Sequence, residues 1–282
     1  MSNADQAEFW SGTSAQAWVD HQDAMDHLLA PVLDLLMQAA DIKPGETILD
    51  IGCGTGTSTL RAAHSAGANG HVLGVDISAR LLALAKERLA HLGNANIEEA
   101  DAQTATFGDR FDKMISRFGV MFFADTAAAF TNIAQALKPG APLVMVAWSD
   151  VRQNPFFTRP AAAARSVFGD LPKTDRSQPG PFAFEDPNRV RNALQSAGLA
   201  DINIVESRLN LTPRGNLDDL AELCLEIGPA ASAMQKLEGT AQHRSQLKAE
   251  IIRQFEPCQS DNASSIPALI HLICARNPVH LA

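Results

Sequence analysis

The chain contains 282 residues, carries a formal net charge of −9 at neutral pH and is 46% hydrophobic. This balance predicts a globular protein of one or two domains, and α/β folds of this size often form one. Nucleic-acid binding needs several Lys or Arg on phosphates, and the chain has no basic cluster, so a nucleic-acid partner is not expected. No apolar stretch reaches the ~20 residues that span a bilayer, and the first residues lack the features of a signal peptide, which predicts a cytoplasmic protein.

The four cysteines are widely scattered along the chain, at positions 53, 224, 258 and 274. They form no C-x-x-C pair, so neither a zinc site nor a disulfide framework is indicated. No other cluster has the spacing of metal ligands, which predicts a metal-independent protein. The chain also contains no tyrosine that could serve as a catalytic acid.

The segment ahead of the first predicted strand is predicted to form a helical cap, residues 1–41. Its apolar periodicity is that of amphipathic helices, with a kink or a new helix start at Pro31. Residues 1–8 are expected to be frayed. Two of the three tryptophans, Trp10 and Trp18, lie in this cap. They either pack the cap onto the core or line a cavity beneath it.

A short apolar run, a glycine-rich turn and a helical pattern follow the cap. The run ends at Asp50, and glycines stand at positions 52, 54 and 56. Glycine is required where the backbone adopts a positive φ or where a ligand approaches with no Cβ in the way. In open α/β sheets such a turn lies at the carboxyl end of a strand, where ligands bind. The sequence therefore predicts a ligand site at this turn.

The spacing of these glycines differs from the dinucleotide fingerprint, in which the third glycine comes one residue later. Asp50 would also repel a pyrophosphate, whereas it suits a ligand that carries an ammonium group. The string from Asp50 to Gly56 resembles the first motif of the class I S-adenosylmethionine-dependent methyltransferases. The resemblance is closest over residues 42–148 and extends to the small-molecule enzymes of ubiquinone and menaquinone biosynthesis. It implies a Rossmann-like, seven-stranded, mostly parallel α/β sheet with helices on both faces and an antiparallel last strand.

Further cofactor contacts follow from position and from the resemblance. Asp76 stands twenty residues past Gly56, at the end of the second predicted strand, where an acid accepts hydrogen bonds from ribose hydroxyls. The resemblance implies that Ile77 packs on the adenine, that Asp101 and Ala102 meet its amino group, and that Ser116 lies near the methionine part. The predicted cofactor-binding residues are Asp50, Gly52, Cys53, Gly54, Gly56, Asp76, Ile77, Asp101, Ala102 and Ser116.

An aromatic segment around Arg117 follows the fourth predicted strand and is interpreted as the lining of a cleft. Arg117 either holds a carboxylate or pairs with an internal aspartate. The predicted substrate-lining residues are Trp10, Trp18, Arg117 and Phe118. The [N/D]-P-P-[Y/F] motif of enzymes that methylate nucleic-acid amino groups is absent here. These features favour a small, partly hydrophobic methyl acceptor.

Residues 42–282 are predicted to form the methyltransferase domain, with two insertions. The proline-rich segment 149–184 is either a lid or a passive surface excursion, and only residues 161–168 within it are expected to be helical. Residues 217–257 are predicted to be a helical insertion, broken at Gly228-Pro229 and Gly239. The resemblance implies that the last strand, residues 267–276, lies antiparallel between the fifth and sixth.

The expected reaction is an in-line methyl displacement in which the protein aligns the nucleophile, the methyl group and the sulfur. A general base is needed only where the nucleophile must lose a proton, and His21, Asp26 and His27 are weak candidates by analogy. Two alternatives stay open: a non-catalytic protein that binds S-adenosylmethionine, and a nicotinamide-dependent oxidoreductase. The acceptor, the methylated atom and the oligomeric state cannot be read from the sequence.

Overall fold

The computed structural model describes residues 3–108, 111–172, 175–260 and 263–279. The strands are β1 Thr47–Ile51, β2 His71–Asp76, β3 Ala95–Glu99, β4 Lys113–Arg117, β5 Pro142–Trp148, β6 Ala200–Leu211, β7 Gln259–Ser260, β8 Ala263–Ser264 and β9 Ile266–Arg276. The helices are α1 Asn3–Ser11, α2 Thr13–Asp20, α3 Gln22–Leu28, α4 Ala30–Ala40, α5 Thr57–Ala66, α6 Ala79–Leu89, α7 Thr126–Ala136, α8 Pro155–Phe168, α9 Pro187–Ser196, α10 Leu217–Glu226, α11 Pro229–Lys236 and α12 Ala241–Phe255.

Seven strands form one sheet in the order β3-β2-β1-β4-β5-β9-β6. Strands β1 to β5 pair in parallel, and β9 is inserted antiparallel between β5 and β6. The predicted fold class is confirmed, including the position of the last strand. The strand order reverses between β1 and β4, and open α/β sheets bind ligands at such a switch point.

The central strands carry the core because they are covered by helices on both faces. Ile48, Leu49, Met114 and Ile115 are fully buried, as is nearly all of β5. Such continuous apolar runs are typical of parallel strands that are buried on both sides. Among the described residues, no helix is long and apolar enough to cross a membrane.

Local capping signals fix several element boundaries, among them the helix start predicted at Pro31. Pro31 stands in the first turn of α4, where its missing N–H leaves no helical hydrogen bond unmade. The hydroxyl of Ser78 accepts a hydrogen bond from the Leu81 N–H and caps α6. The helix ends at Leu89.

Two local predictions are wrong. Residues 3–8 are not frayed, because α1 begins at Asn3, while residues 1–2 lie outside the described part of the chain. The fixed position of α1 has a clear cause, since the Asn3 side chain donates to Asp101 at 2.7 Å and accepts from the Ala124 N–H. The helix in the proline-rich segment is also longer than predicted, since α8 begins at Pro155 and contains Pro160. Burial of Phe156 and Pro160 offsets the hydrogen bond lost at the internal proline.

Candidate active site

A cavity of about 1360 Å³ opens at the carboxyl ends of β1, β2 and β4. Its walls come from the glycine turn, the N-terminal helices α1 to α3, helix α8 with Leu171, Pro172, Arg176 and residues 179–182, and the segment 225–237 around α11. A pocket for one drug-sized ligand typically measures ~300–1,000 Å³. The cavity is therefore large enough for two small molecules side by side.

The glycines of the turn have different roles. Gly52 has φ +67°, and a Cβ built on it would lie 2.5 Å from the Cα of Gly119. Gly54 has φ +55° and open space where its Cβ would be, and it lines the cavity. A Cβ on Gly56 would lie 2.6 Å from the Leu89 side chain, so this glycine permits close packing of α5 on α6. The turn thus leaves room for a ligand at Gly54, while Gly52 and Gly56 allow the backbone and helices to approach.

Asp50 is fully buried beneath the turn. Its Oδ2 accepts hydrogen bonds from Ser58 Oγ and Thr59 Oγ1, both at 2.7 Å. Its Oδ1 has no partner among the described residues. Burial raises the pKa of Asp50 to about 6, while the two hydroxyls and the charge of Arg117 act in the opposite direction. A buried acid with one unpaired acceptor oxygen therefore lies directly beneath the turn, although Asp50 itself is not among the residues that line the cavity.

Asp76 lines the cavity at the end of β2 and ties the turn to that strand. Its Oδ2 accepts from the Gly54 N–H and its Oδ1 from the Ser78 N–H, each at 2.9 Å. Burial raises the pKa of Asp76, and these backbone hydrogen bonds oppose the shift. Ile77 follows it along the same wall.

The remaining predicted cofactor residues divide between the cavity wall and the support behind it. Asp101, Ala102 and Cys53 line the cavity, and burial raises the pKa of the Cys53 thiol well above its ordinary value. Ser116 is buried and does not line the cavity: its hydroxyl donates to the Ile51 carbonyl at 2.7 Å and accepts from the Gly119 N–H at 3.2 Å. Ser116 therefore supports the turn rather than facing a ligand.

Aromatic side chains form one wall of the cavity. Phe118 stacks on Trp148 with ring centres 4.5 Å apart, and Phe157 meets Trp148 edge-on at 4.9 Å. Phe118 has φ +66°, a conformation that costs energy for a bulky residue and is often found at functional sites. On the opposite side, Trp10 and Trp18 line the cavity with ring centres 6.4 Å apart. Both predicted tryptophans thus face the cavity.

Arg117 lines the cavity and contacts an internal aspartate, Asp26. This contact is one of the two alternatives predicted for Arg117. Its Nη2 lies 3.3 Å from Asp26 Oδ1, a long contact for an ion pair. Its Nη1 is buried and has no partner among the described residues. One half of the guanidinium is therefore unused.

The three candidate general bases lie outside the cavity lining. Asp26 is held in an ion network with Arg88 and Arg117, and neither His21 nor His27 contributes to the walls. No histidine is present among the described residues that line the cavity. A proton acceptor, where the reaction requires one, would have to come from Asp76, Asp101, Glu226 or the acceptor itself.

Sequence reasoning missed several parts of the site. Gly119 lies against the glycine turn, and its only sequence signal was its place after a strand end. Arg88 lies in a stretch of mixed charge that gives no sign of its role, yet it hydrogen-bonds Thr55 and Thr57 at the turn. The break at Gly228-Pro229 was visible, but nothing indicated that the helix after it reaches the cavity.

Comparisons with known proteins agree with this geometry. Residues 42–197 match the family described as "Methyltransferase domain". An uncharacterised protein of Mycobacterium tuberculosis is 35% identical over 159 residues, which cover 54% of this chain and 56% of that protein. A demethylmenaquinone methyltransferase of Staphylococcus haemolyticus is 28% identical over 178 residues, covering 60% of this chain and 74% of that enzyme.

Solved structures share the fold. The YcgJ protein of Bacillus subtilis superposes with a TM-score of 0.55 at 17% identity, covering 87% of this chain and 97% of that one. Phosphoethanolamine N-methyltransferase 2 of Haemonchus contortus, solved in complex with S-adenosyl-L-methionine, superposes with a TM-score of 0.53 at 20% identity, covering 88% and 52%. Because the matched family segment takes in more than half of the chain, including the glycine turn and Asp76, the chain belongs to the methyltransferase domain family, and the resemblance seen in its sequence is confirmed.

Proposed function

We propose that the protein transfers a methyl group from S-adenosylmethionine to a small, partly hydrophobic acceptor. The observation that carries the proposal is a pair of orphaned polar atoms. Among the described residues, Asp50 Oδ1 and Arg117 Nη1 are the buried side-chain polar atoms without a hydrogen-bond partner. Such atoms are costly to leave unpaired, so they point to a ligand.

The two orphaned atoms have opposite charge and suit the amino-acid end of this cofactor. That end carries an ammonium group, which a carboxylate oxygen accepts, and a carboxylate, which a guanidinium N–H reaches. Both residues belong to strands whose carboxyl ends form the cavity floor. A nicotinamide dinucleotide would instead place a pyrophosphate near Asp50, which is unfavourable for two like charges.

Other residues are assigned by their position on the cavity wall. Asp76 would accept hydrogen bonds from the ribose hydroxyls, Ile77 would pack on the adenine, and Asp101 with Ala102 would meet its amino group. Gly54 leaves space for the cofactor, and Cys53 lines the cavity beside it. Gly52, Gly56 and Ser116 act indirectly by shaping the turn.

The cofactor supplies a methyl group that its sulfonium already activates. The chain contributes alignment, which can lower a barrier by roughly 7–11 kcal/mol, and exclusion of water from the cavity. Three segments contribute walls to the cavity: the cap 1–41 and the insertions 149–184 and 217–257. We assign to them the exclusion of water from the cavity. Residues 173–174 of the first insertion lie outside the described part of the chain.

The acceptor is proposed to have an apolar, flat body that packs on the aromatic wall formed by Phe118, Trp148 and Phe157. The name of the staphylococcal relative, a demethylmenaquinone methyltransferase, is compatible with an acceptor of this kind. The cytoplasmic location stays a prediction, and the methylated atom is not assigned.

The alternative left by the sequence, a non-catalytic protein that binds S-adenosylmethionine, shares the cofactor assignment with the proposed enzyme. Calorimetric titration with S-adenosylmethionine and S-adenosylhomocysteine tests the shared cofactor assignment. Micromolar binding of both is expected, and tight NAD binding without either would overturn it. Release of S-adenosylhomocysteine in the presence of flat phenolic or quinol acceptors would then establish catalysis.

Replacing Asp76 with alanine should weaken cofactor binding at least tenfold, because each hydrogen bond to a charged group contributes roughly 1.5–3 kcal/mol. Titration of Asp76→Ala with S-adenosylhomocysteine measures the loss. Asp112→Ala is the matched control, since Asp112 also accepts a backbone hydrogen bond, from Thr47, but lies at the opposite end of β1. Equal affinities for both variants would show that Asp76 does not contact the ribose.

A further inference from the structure

Arg88 projects from α6 to the rear of the glycine turn. Its Nη1 donates to the Thr55 carbonyl at 2.6 Å and to Thr57 Oγ1 at 2.9 Å. Its Nη2 donates to Asp26 Oδ2 at 2.9 Å. One guanidinium therefore contacts both the end of the turn and the N-terminal cap.

Asp26, on α3, receives hydrogen bonds from three elements besides its own helix, where Gln22 Nε2 also donates to it. Besides Arg88, it accepts from Thr57 Oγ1 at 2.6 and 2.7 Å and from Arg117 Nη2 at 3.3 Å. Its side chain is only 17% exposed, and those of Arg88 and Arg117 are 22% and 11% exposed. The carboxylate thus joins the cap to α5, α6 and the end of β4.

These contacts hold residues that form the candidate site. Thr55 lines the cavity, and its carbonyl orientation is fixed by Arg88. Asp26 holds one nitrogen of Arg117 and leaves the other unpaired. Arginine suits this task because its planar fork directs several N–H groups in fixed directions.

We propose that Arg88 and Asp26 are positioning residues that couple closure of the N-terminal cap to the binding-competent shape of the glycine turn. If the cap moved away, Arg88 and Arg117 would lose the carboxylate they share, while the turn would lose its restraint at Thr57. Coupling of this kind is reciprocal: cofactor binding must stabilise the closed cap as much as the closed cap favours binding. The inference rests on the cofactor assignment proposed above.

The chain provides a matched control. Arg61 on α5 pairs with Asp34 on α4 at 3.0 Å, so this pair also joins the cap to the core. It is far more exposed, at 46% and 63%. Neither pair lines the cavity itself, but Arg88 and Asp26 hydrogen-bond the lining residues Thr55 and Arg117. If the Arg88–Asp26 pair only attached the cap to the core, its loss should affect cofactor binding no more than loss of the Arg61–Asp34 pair.

The test compares Arg88→Met, Asp26→Asn, their double variant and Arg61→Met by calorimetric titration with S-adenosylhomocysteine. Each single change in the Arg88–Asp26 pair should weaken binding about tenfold, and the double variant should be little weaker than either, because the two residues act together. Arg61→Met should stay within twofold of the wild type. Folded Arg88→Met and Asp26→Asn proteins with wild-type affinity would overturn the proposal, as would fully additive losses.

Limited proteolysis of the cap gives an independent readout. Cleavage within residues 1–41 should be faster in Asp26→Asn and Arg88→Met than in Arg61→Met, and cofactor should slow it in the wild type far more than in the two variants. Arg88→Lys retains the charge without the fork and should fall between the wild type and Arg88→Met in affinity. If the wild type bound no cofactor, the proposed function would fail, whereas equal cleavage rates in all variants would overturn the coupling itself.

Discussion

Replacing Asp50 with asparagine is expected to stabilise the unliganded protein and to remove tight cofactor binding. Asn keeps the shape of the side chain and an oxygen that can accept from Ser58 and Thr59. It removes a buried charge whose desolvation raises the pKa of Asp50 from 3.8 to about 6. A shift of this size corresponds to at most about 3 kcal/mol of folding free energy at neutral pH.

The folded protein holds the Asp50 proton up to a pH of about 6, whereas the unfolded chain releases it near 3.8. Unfolding therefore releases a proton between these pH values, and the contribution of Asp50 to stability falls as the pH rises through that window. The stability difference between Asp50→Asn and the wild type should be small below pH 4 and fully developed above about pH 6.

Cofactor binding should respond in the opposite direction. An ammonium group prefers the ionised carboxylate, so wild-type affinity should fall as the pH drops below about 6. Asp50→Asn should bind at least thirtyfold more weakly at pH 8, without this pH dependence. Urea unfolding and calorimetry at pH 4.5, 6 and 8 measure both effects. Asp34→Asn serves as the control, since Asp34 is an exposed acid on the cap; a destabilised Asp50→Asn protein with normal affinity would contradict the assignment.

Structural features that depend only on residues close together in the sequence can be predicted from it. The apolar run of β1, the helix start at Pro31 and the glycine turn each depend on a few neighbouring residues, so their signals can be recognised without knowledge of the fold. Asp76 belongs to the same group, because its spacing from the turn is fixed by one helix and one strand. The antiparallel last strand was predicted only through the family resemblance.

Contacts between distant segments could not be predicted in this way. Arg88 and Asp26 are 62 positions apart, and the neighbours of Arg88 in sequence, Lys86 and Glu87, are exposed as the helix pattern suggests. Gly119 gives no local indication that its Cα lies against Gly52. Helix α1 was not predicted for the same reason, since it is held by contacts of Asn3 with residues about a hundred positions away.

Replacing Gly52 with alanine should disrupt the folded state itself. The residue has φ +67°, where an L side chain costs roughly 1–2 kcal/mol, and its Cβ would lie 2.5 Å from the Gly119 Cα. The obstacle is backbone, so no side-chain rotation relieves it, and overpacking of this type costs a further ~1–3 kcal/mol. Gly119→Ala should be destabilised by overlap alone, because its Cβ would lie 2.6 Å from the Gly52 Cα and the Ile51 carbonyl oxygen.

Gly54→Ala separates folding from binding. Gly54 also has a positive φ, but nothing lies within 4 Å of its added Cβ, which would project into the open cavity. This variant should lose only about 1 kcal/mol of stability, yet bind S-adenosylhomocysteine at least tenfold more weakly. Urea denaturation and titration of the three variants, with Gly93→Ala as a control that has neither a positive φ nor a contact, measure both properties. Normal stability in Gly52→Ala would show that the turn and Gly119 are less closely packed, and normal binding in Gly54→Ala would place the cofactor elsewhere in the cavity.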